Sequence, residues 1–269
     1  MSVKDILVHV DGGEGDKATI AAALAIAVRF GARLTGLFAR TENSGPSLVA
    51  RQPSDQFKAA AASAQAAIEA ACSQAGLVSR WWLIPHGGVS DLISEVLFCG
   101  YYADLVIIGQ DAAKGVHVHD SFAEDLILKS GRPVLMIPKD YAGPTVGARV
   151  ALGWRAGREA ARAVADSLPF LESADMVKVV AVGPRTHAPD YLPPVNVVEH
   201  LSAHGIHAEG EQLEIEGLGV MDALLSRAYD HNADLLVVGA HGGYVLPLGR
   251  GSATRHLLRH AQVPVMFSH

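Results

Sequence analysis

The sequence has little of what exported, redox-active or membrane-spanning proteins are built from. Cys72 and Cys99 are the two cysteines in 269 residues, too few for a disulfide framework and without Cys-x-x-Cys spacing. No run of about 18 apolar residues predicts a transmembrane helix. The first residues, with Lys4, Asp5 and Asp11 in a short strand, lack the order of a signal peptide. We therefore expect a soluble cytoplasmic protein with no membrane partner.

Positive charge is also scarce. The formal net charge is −6 and the isoelectric point is near 6.1, so most of the surface repels a polyphosphate backbone. This composition argues against nucleic acid as the main partner. The length and a hydrophobic content of 49 % are enough for two cores, which predicts two domains.

The familiar catalytic and metal-binding motifs are missing as well. The sequence contains no Gly-x-Ser-x-Gly elbow, no phosphate loop ending in Gly-Lys-Ser/Thr and no Gly-x-Gly-x-x-Gly after the first strand. His200 and His204 have the spacing of two metal ligands on one helix face, but a polar helix end explains them better. We predict no catalytic residue and no metal site.

An internal duplication is present instead. The segment Ala103–Gly109 recurs as Ala233–Gly239, and Pro133–Met136 recurs as Pro264–Phe267. Gly and Pro between residues 140 and 147 break both periodicities and mark a linker. We predict two tandem domains, residues 1–143 and 144–269.

Each half alternates short apolar strands with longer helical segments. Strands that are apolar throughout are buried on both faces, which is typical of a parallel sheet covered by helices on each side. The predicted fold is therefore α/β, with two tandem doubly wound parallel-sheet domains. In such sheets ligands bind beyond the carboxyl ends of the strands, so motifs that follow strands carry the most information.

A glycine-rich loop follows the fourth strand of the second half. Glycines allow backbone amides to approach an anion, Ser252 and Thr254 offer hydroxyls, and the helix that begins near Ala253 presents unpaired N–H groups. Arg250 adds a positive charge. A tight connection closed by a Ser or Thr helix cap explains the same residues, and the spacing alone does not separate the two interpretations.

The tandem arrangement, the strand ending in Val10-Asp11-Gly12, the repeated Ala-Asp-Leu strands and the Gly239/Gly242/Gly251-Ser252 loop together resemble a tandem universal stress protein over essentially the whole chain. The resemblance implies a Rossmann-like fold, related to the adenine nucleotide alpha hydrolases. It implies that Gly-x2-Gly-x9-Gly-(Ser/Thr) holds the phosphates of ATP, and that an aspartate after the first strand contacts the nucleoside. His241 matches a position that lines the phosphate cleft.

Carried over to this sequence, the resemblance predicts a nucleotide site in the second half and a weaker one in the first. The predicted second-half residues are Gly239, His241, Gly242, Arg250, Gly251, Ser252, Ala253 and Thr254. The weaker first-half candidates are Asp11, Gly109 and Ser121.

Neither half keeps a complete pattern. In the second half, eight residues instead of nine separate Gly242 from Gly251, and Arg155 stands where the aspartate would be. In the first half, Ala112 replaces a loop glycine, and Asp120 puts a carboxylate where phosphate would approach. The first half is therefore interpreted as a degenerate partner and the second as the ligand site.

The sequence leads to two functional hypotheses. One is a non-enzymatic stress-response protein, at most weakly hydrolytic, that binds ATP or another adenine nucleotide with Mg²⁺ as its possible companion ion. The alternative is a ligand-independent interaction module with decayed sites. The resemblance also implies that the domains pair as an internal pseudo-dimer through their last strands, and leaves open a further homodimer.

Overall fold

The computed structural model describes residues 2–42, 53–85, 89–115, 117–182, 196–214, 219–240 and 252–269. The chain forms two compact units, Ser2–Pro144 and Thr145–His269. This division lies one residue after the predicted boundary.

The first unit alternates strands and helices from its first strand to its last. Its elements are β1 (Asp5–Val10), α1 (Asp16–Phe30), β2 (Arg33–Phe38), α2 (Asp55–Ala75), β3 (Ser79–Leu83), α3 (Val89–Gly100), β4 (Leu105–Gly109), α4 (Gln110–Ala113), α5 (Phe122–Lys129) and β5 (Val134–Ile137).

The second unit repeats this alternation. Its elements are β6 (Arg149–Trp154), α6 (Arg158–Leu171), β7 (Met176–Val182), α7 (Val197–Ala203), β8 (Ala208–Leu213), α8 (Gly219–Asp230), β9 (Leu235–Gly239), α9 (Ser252–His260) and β10 (Val265–Ser268).

Each unit contains a parallel sheet with the same strand order. The order is β3-β2-β1-β4-β5 in the first unit and β8-β7-β6-β9-β10 in the second. Strands β4 and β5 of the first unit are apolar throughout and buried; in β4, for example, the residues from Leu105 to Ile108 are at most 1 % exposed. The predicted doubly wound α/β fold is confirmed.

The strand register makes the two units comparable residue by residue. Val8 of β1 pairs with Ile107 of β4, and Leu152 of β6 pairs with Val237 of β9. Equivalent residues therefore differ by 144 in the first strands of the units and by 130 in the fourth.

The repeated Ala-Asp-Leu motif has a structural role. Asp104 accepts hydrogen bonds from the backbone N–H groups of Lys4 and Asp5, at 2.8 and 3.0 Å. Asp234 accepts bonds from three backbone N–H groups at the start of the second unit, those of Gly147, Ala148 and Arg149, at 2.8 to 3.1 Å. The aspartate thus satisfies the unpaired amides where the first strand of its unit begins.

Helix ends follow the sequence signals in the first unit but not throughout the second. Gly31 ends α1 in the left-handed conformation, which is typical of a glycine that follows a helix. A proline at position 169 predicts that the helix ends at Leu168, but α6 continues through Pro169 to Leu171. Pro169, Phe170 and Leu171 are buried, and this apolar burial offsets the backbone hydrogen bond that proline removes.

Candidate functional site

The second unit contains a cavity of about 240 Å³. It lies at the carboxyl ends of three neighbouring strands, the place where ligands bind in open α/β sheets. The strand residues that line it are Gly153 and Trp154 of β6, Val180 and Val182 of β7, and Val238 and Gly239 of β9.

The cavity wall has an apolar part and a polar part. The apolar part is formed by the valines of β7 and β9 together with Val220, Met221 and Leu224 of α8. Arg155, Glu159 and Thr254 bring polar groups. A pocket of mostly apolar lining with a few converging polar groups is typical of small-molecule sites.

Three predicted site residues line this cavity. Gly239 ends β9, while Ala253 and Thr254 lie in the first turn of α9, and Thr254 is buried. Ser252 begins α9. His241, Gly242, Arg250 and Gly251 lie outside the described residues, so their part of the site remains a prediction.

Packing explains why residue 239 is glycine. A Cβ added to Gly239 would lie 2.5 Å from the carbonyl carbon of Glu159 and 2.7 Å from the backbone nitrogen of Ala160. Helix α6 therefore approaches β9 too closely for any side chain at this position. The fold therefore requires a glycine at position 239, whether or not this residue also allows a phosphate to approach the backbone.

Arg155 follows β6 as Asp11 follows β1. The register of the strands makes the two residues equivalent, since each comes directly after the last residue of its strand. Arg155 lines the 240 Å³ cavity, and the other charged residue of the wall, Glu159, is paired with Arg158 at 3.3 Å between Oε1 and Nη2. A guanidinium thus stands where the first unit has a carboxylate.

The corresponding cleft of the first unit is almost closed. Its void measures about 10 Å³, close to the volume that one water molecule needs. The residues that line it are His9, Asp11, Gly15, Asp16, Gly109, Asp111 and Ala112.

His9 is one of the buried side chains that line the closed cleft. The side chain is buried in β1, where its Nε2 donates a hydrogen bond to the Ala39 carbonyl at 2.8 Å and its ring packs on Phe122 at 4.9 Å between centroids. Burial lowers the pKa of His9 and favours the neutral ring. The equivalent residue in β6 is Gly153, which has no side chain and lines the open cavity beside Val238 and Leu224.

Two carboxylates hold the turn between β1 and α1. Asp11 Oδ1 accepts a hydrogen bond from the Gly13 amide at 2.8 Å, and Asp16 Oδ2 accepts one from the Gly12 amide at 2.8 Å. Burial and the nearby charge of Asp11 raise the pKa of Asp16 to about 7. Among the described residues, Asp11 Oδ2 has no hydrogen-bond partner.

His117 lies beside this pair of carboxylates. Its Nδ1 is 3.3 Å from Asp11 Oδ1, although the alignment is not that of a hydrogen bond. The imidazole thus approaches Asp11 from the segment between α4 and α5. The first cleft is therefore acidic in its walls, which makes it unfavourable for phosphate.

The structure separates the other two first-half candidates, Gly109 and Ser121. Gly109 lines the small void, where a Cβ would lie 2.9 Å from Thr19 Oγ1. The Ser121 hydroxyl donates to Asp125 Oδ2 at 2.9 Å. Asp120, expected to repel phosphate, faces Gly115, and the described carboxylates at the void are Asp11, Asp16 and Asp111.

Comparison with known proteins supports the fold and identifies the second unit. Residues 158–269 match the family model described as the universal stress protein family. Residues 158–269 form a universal stress protein domain. The match begins three residues after Arg155. The end of β6, where Arg155 stands in place of the expected aspartate, therefore lies outside the matched residues. No curated protein matches the chain.

Solved structures extend the likeness of the fold to both halves. A universal stress protein from Archaeoglobus fulgidus DSM 4304 is 16 % identical, covers 98 % of this chain and 96 % of its own, and has a TM-score of 0.73. A putative universal stress protein from Pseudomonas aeruginosa UCBPP-PA14 is 15 % identical, with 99 % and 93 % covered and a TM-score of 0.57. The chain thus has the universal stress protein fold throughout.

A shorter universal stress protein, also from Archaeoglobus fulgidus, was solved in complex with dAMP. It is 18 % identical, covers 51 % of this chain and 98 % of its own, and has a TM-score of 0.36.

Sequence reasoning missed several residues that shape the two clefts. His9, Asp16 and Asp111 line the closed cleft, and Gly153 and Glu159 line the open one. One signal was available: a histidine inside the apolar strand Ile6–Val10 is buried and needs a partner. Asp16 and Asp111 line the cleft because of the way helices α1 and α4 pack against the sheet, and this packing cannot be predicted from the sequence.

The histidine pairs do not form metal sites in the described part of the chain. The rings of His200 and His204 are 5.0 Å apart, and His256 and His260 repeat this arrangement at 4.6 Å. Within the described ranges, no group of three or more His, Cys, Asp or Glu side chains could hold a metal ion. The described helices include none that is long and apolar enough to cross a membrane.

Proposed function

We propose that the universal stress protein domain of the second unit binds ATP or another adenine nucleotide as a conformational or signalling ligand. The observation that carries this proposal is the cavity of about 240 Å³ at the carboxyl ends of β6, β7 and β9. Its position corresponds to the crevice in which open α/β sheets bind their ligands.

The two parts of the cavity wall suit the two parts of a nucleotide. The apolar surface of Val180, Val238 and Leu224 can cover a planar base. At the other part, Gly239 and the first turn of α9 border the cavity. The first amides of a helix lack partners within the helix and attract anions, so the phosphates would lie there, next to the predicted glycine loop.

The alternative is a ligand-independent stress-related interaction module. Two observations favour it. The volume of 240 Å³ lies below the roughly 300–1,000 Å³ of ordinary ligand pockets, and Arg155 replaces the carboxylate of the resemblance. The closed first cleft already illustrates such decay within the same chain.

The remaining sequence predictions belong to this proposal. We expect binding with at most weak hydrolysis, because no nucleophile motif was found in the sequence, and we expect the protein to act in the cytoplasm. Mg²⁺ would arrive with the nucleotide phosphates. Pairing of the two units through residues 133–137 and 264–268, and a further homodimer, also remain predictions for solution scattering to test.

Calorimetric titration with ATP, in the presence and absence of Mg²⁺, tests the proposal. Mass spectrometry of small molecules released on denaturation identifies any nucleotide that is purified with the protein. We expect saturable binding of about one nucleotide per chain, because the first cleft has no room for one. The absence of both heat and released nucleotide would favour the interaction module.

A pair of variants assigns the site to its domain. Gly251→Asp gives the second loop the residue that the first half has at position 120, and like-charge repulsion should lower ATP affinity by about tenfold or more. Ser121→Asp, at the start of α5, adds the same charge to the first unit and should leave affinity unchanged. Unaltered binding in Gly251→Asp would mean that the loop does not hold the phosphates.

A further inference from the structure

The walls of the two clefts differ in charge at three equivalent positions. Asp11, directly after β1, corresponds to Arg155 after β6. Asp16 corresponds in residue count to Ala160, which lines the open cavity. Glu159, which also lines the open cavity, corresponds to Gly15. At these positions the open cleft therefore has one carboxylate and one guanidinium where the first cleft has two carboxylates.

Arg155 is the charge that a ligand in this cleft would meet at the end of β6. It is exposed and lines the cavity. The carboxylate in the same wall, Glu159, forms an ion pair with the guanidinium of Arg158 at 3.3 Å. Gly157, next to Arg158, has neither charge nor side chain to oppose an anion at this edge.

We propose that this cleft prefers an adenine nucleotide that carries a phosphate on the ribose, at the 2′ or 3′ position, in addition to its 5′-phosphate. The inference rests on the proposed function and adds the ligand's charge distribution. The 5′-phosphate lies at the first turn of α9, and Arg155 contacts the ribose phosphate.

The chemistry of the two side chains explains this preference. An aspartate at the end of a strand accepts hydrogen bonds from ribose hydroxyls, and it repels a phosphate placed there. An arginine has no acceptor for a hydroxyl proton, but its planar donors match two phosphate oxygens. The same exchange distinguishes nicotinamide cofactors with and without a 2′-phosphate in other doubly wound folds.

Three isomers provide a matched test. Adenosine 5′-diphosphate, adenosine 3′,5′-bisphosphate and adenosine 2′,5′-bisphosphate have the same base, sugar and number of phosphates, so the site of phosphorylation is the variable. We expect calorimetric titration of the full chain to show at least one bisphosphate binding about tenfold more tightly than the 5′-diphosphate. The preference should shrink at 0.5 M salt, because an exposed guanidinium is screened at about this ionic strength.

Variants at Arg155 show whether this residue causes the preference for a bisphosphate. Arg155→Asp, which copies the first unit, should abolish the preference for a bisphosphate, whereas Arg155→Lys should keep part of it. Circular dichroism of each variant verifies folding. Equal or tighter binding of the 5′-diphosphate by the unaltered protein, or a bisphosphate preference that survives Arg155→Asp, would overturn this inference and leave nucleotide binding intact. If none of the isomers nor ATP binds, the proposed function itself fails.

Discussion

The clefts of the two units differ in volume, about 10 Å³ in the first and about 240 Å³ in the second, although the strand order around them is the same. A few side chains account for the difference. A buried imidazole, that of His9, lines the first cleft where the second has Gly153, and Asp16 stands where the second unit has Ala160. The duplication thus reproduces the position of a ligand site, while individual residues decide whether it is open.

The sharpest test of this comparison concerns the glycine that ends the fourth strand of each unit. Gly239→Ala should destabilise the second unit by about 3 kcal/mol, because the new Cβ would meet the backbone of α6 at 2.5 Å. Gly109→Ala should cost about 1 kcal/mol, since its Cβ would meet one side-chain atom, the Thr19 hydroxyl at 2.9 Å, and would disturb its hydrogen bond to the Gly15 carbonyl instead of displacing a helix backbone. Urea unfolding of both variants measures the difference. Equal losses of stability in the two variants would mean that helix α6 shifts as readily as the Thr19 side chain.

The acidic turn of the first unit should make its stability depend on pH. The pKa of Asp16 is raised to about 7 in the folded protein, so between about pH 4 and pH 7 the folded state keeps a proton that the unfolded chain releases. Stability from this group therefore falls as pH rises through that window and levels off above it. The groups that face the turn include Asp11, Asp111 and His117.

Asp16→Asn should remove this dependence and stabilise the first unit by about 2 kcal/mol at pH 8. The amide oxygen can still accept the bond from the Gly12 backbone. Asp55→Asn, at the exposed start of α2, is the matched control and should leave the pH profile unchanged. The test is to measure the unfolding midpoints of the unaltered protein and both variants between pH 4 and pH 8. If the stability of Asp16→Asn changes with pH as that of the unaltered protein does, the prediction is wrong.

The smallest effect concerns the open cleft. Gly153→His copies His9 of the first unit. Its Cβ would lie 3.1 Å from Val238 and 3.3 Å from Leu224, so the new side chain should crowd the cavity wall, reduce the cavity volume and weaken nucleotide binding by about tenfold. Gly210→His is the control, because this β8 glycine faces Val198 of α7 rather than the cavity. Calorimetric titration compares the two. Undiminished affinity in Gly153→His would place the ligand elsewhere.

The sequence was a reliable guide to the elements of the fold. The continuous apolar runs predicted buried parallel strands, and Leu105–Gly109 and Leu235–Gly239 confirm them as β4 and β9. Pro169 was misleading, because local chemistry predicts a helix end where burial of Phe170 and Leu171 decides otherwise. The helical turn α4, which carries Asp111 to the first cleft, also had no periodicity long enough to predict it.

For the candidate site, sequence reasoning reached the correct edge of the sheet but not all of the wall. Gly239, Ala253 and Thr254 line the cavity, as expected for residues that follow β9. The volume of each cleft was beyond prediction, because it depends on the close approach of α6 to Gly239 and on the burial of His9.

The sequence by itself determined the duplication, the order of the elements and the strand ends at which chemistry is found, because apolar periodicity and turn residues act locally along the chain. The tertiary structure decided which cleft is open and which charges face it. These properties arise where side chains distant in sequence meet, as His9 meets Phe122 and Asp11 meets His117. Because protein interiors are closely packed, the size of single side chains determines the volume of a cleft. Room for a ligand remains only where a side chain is small or absent.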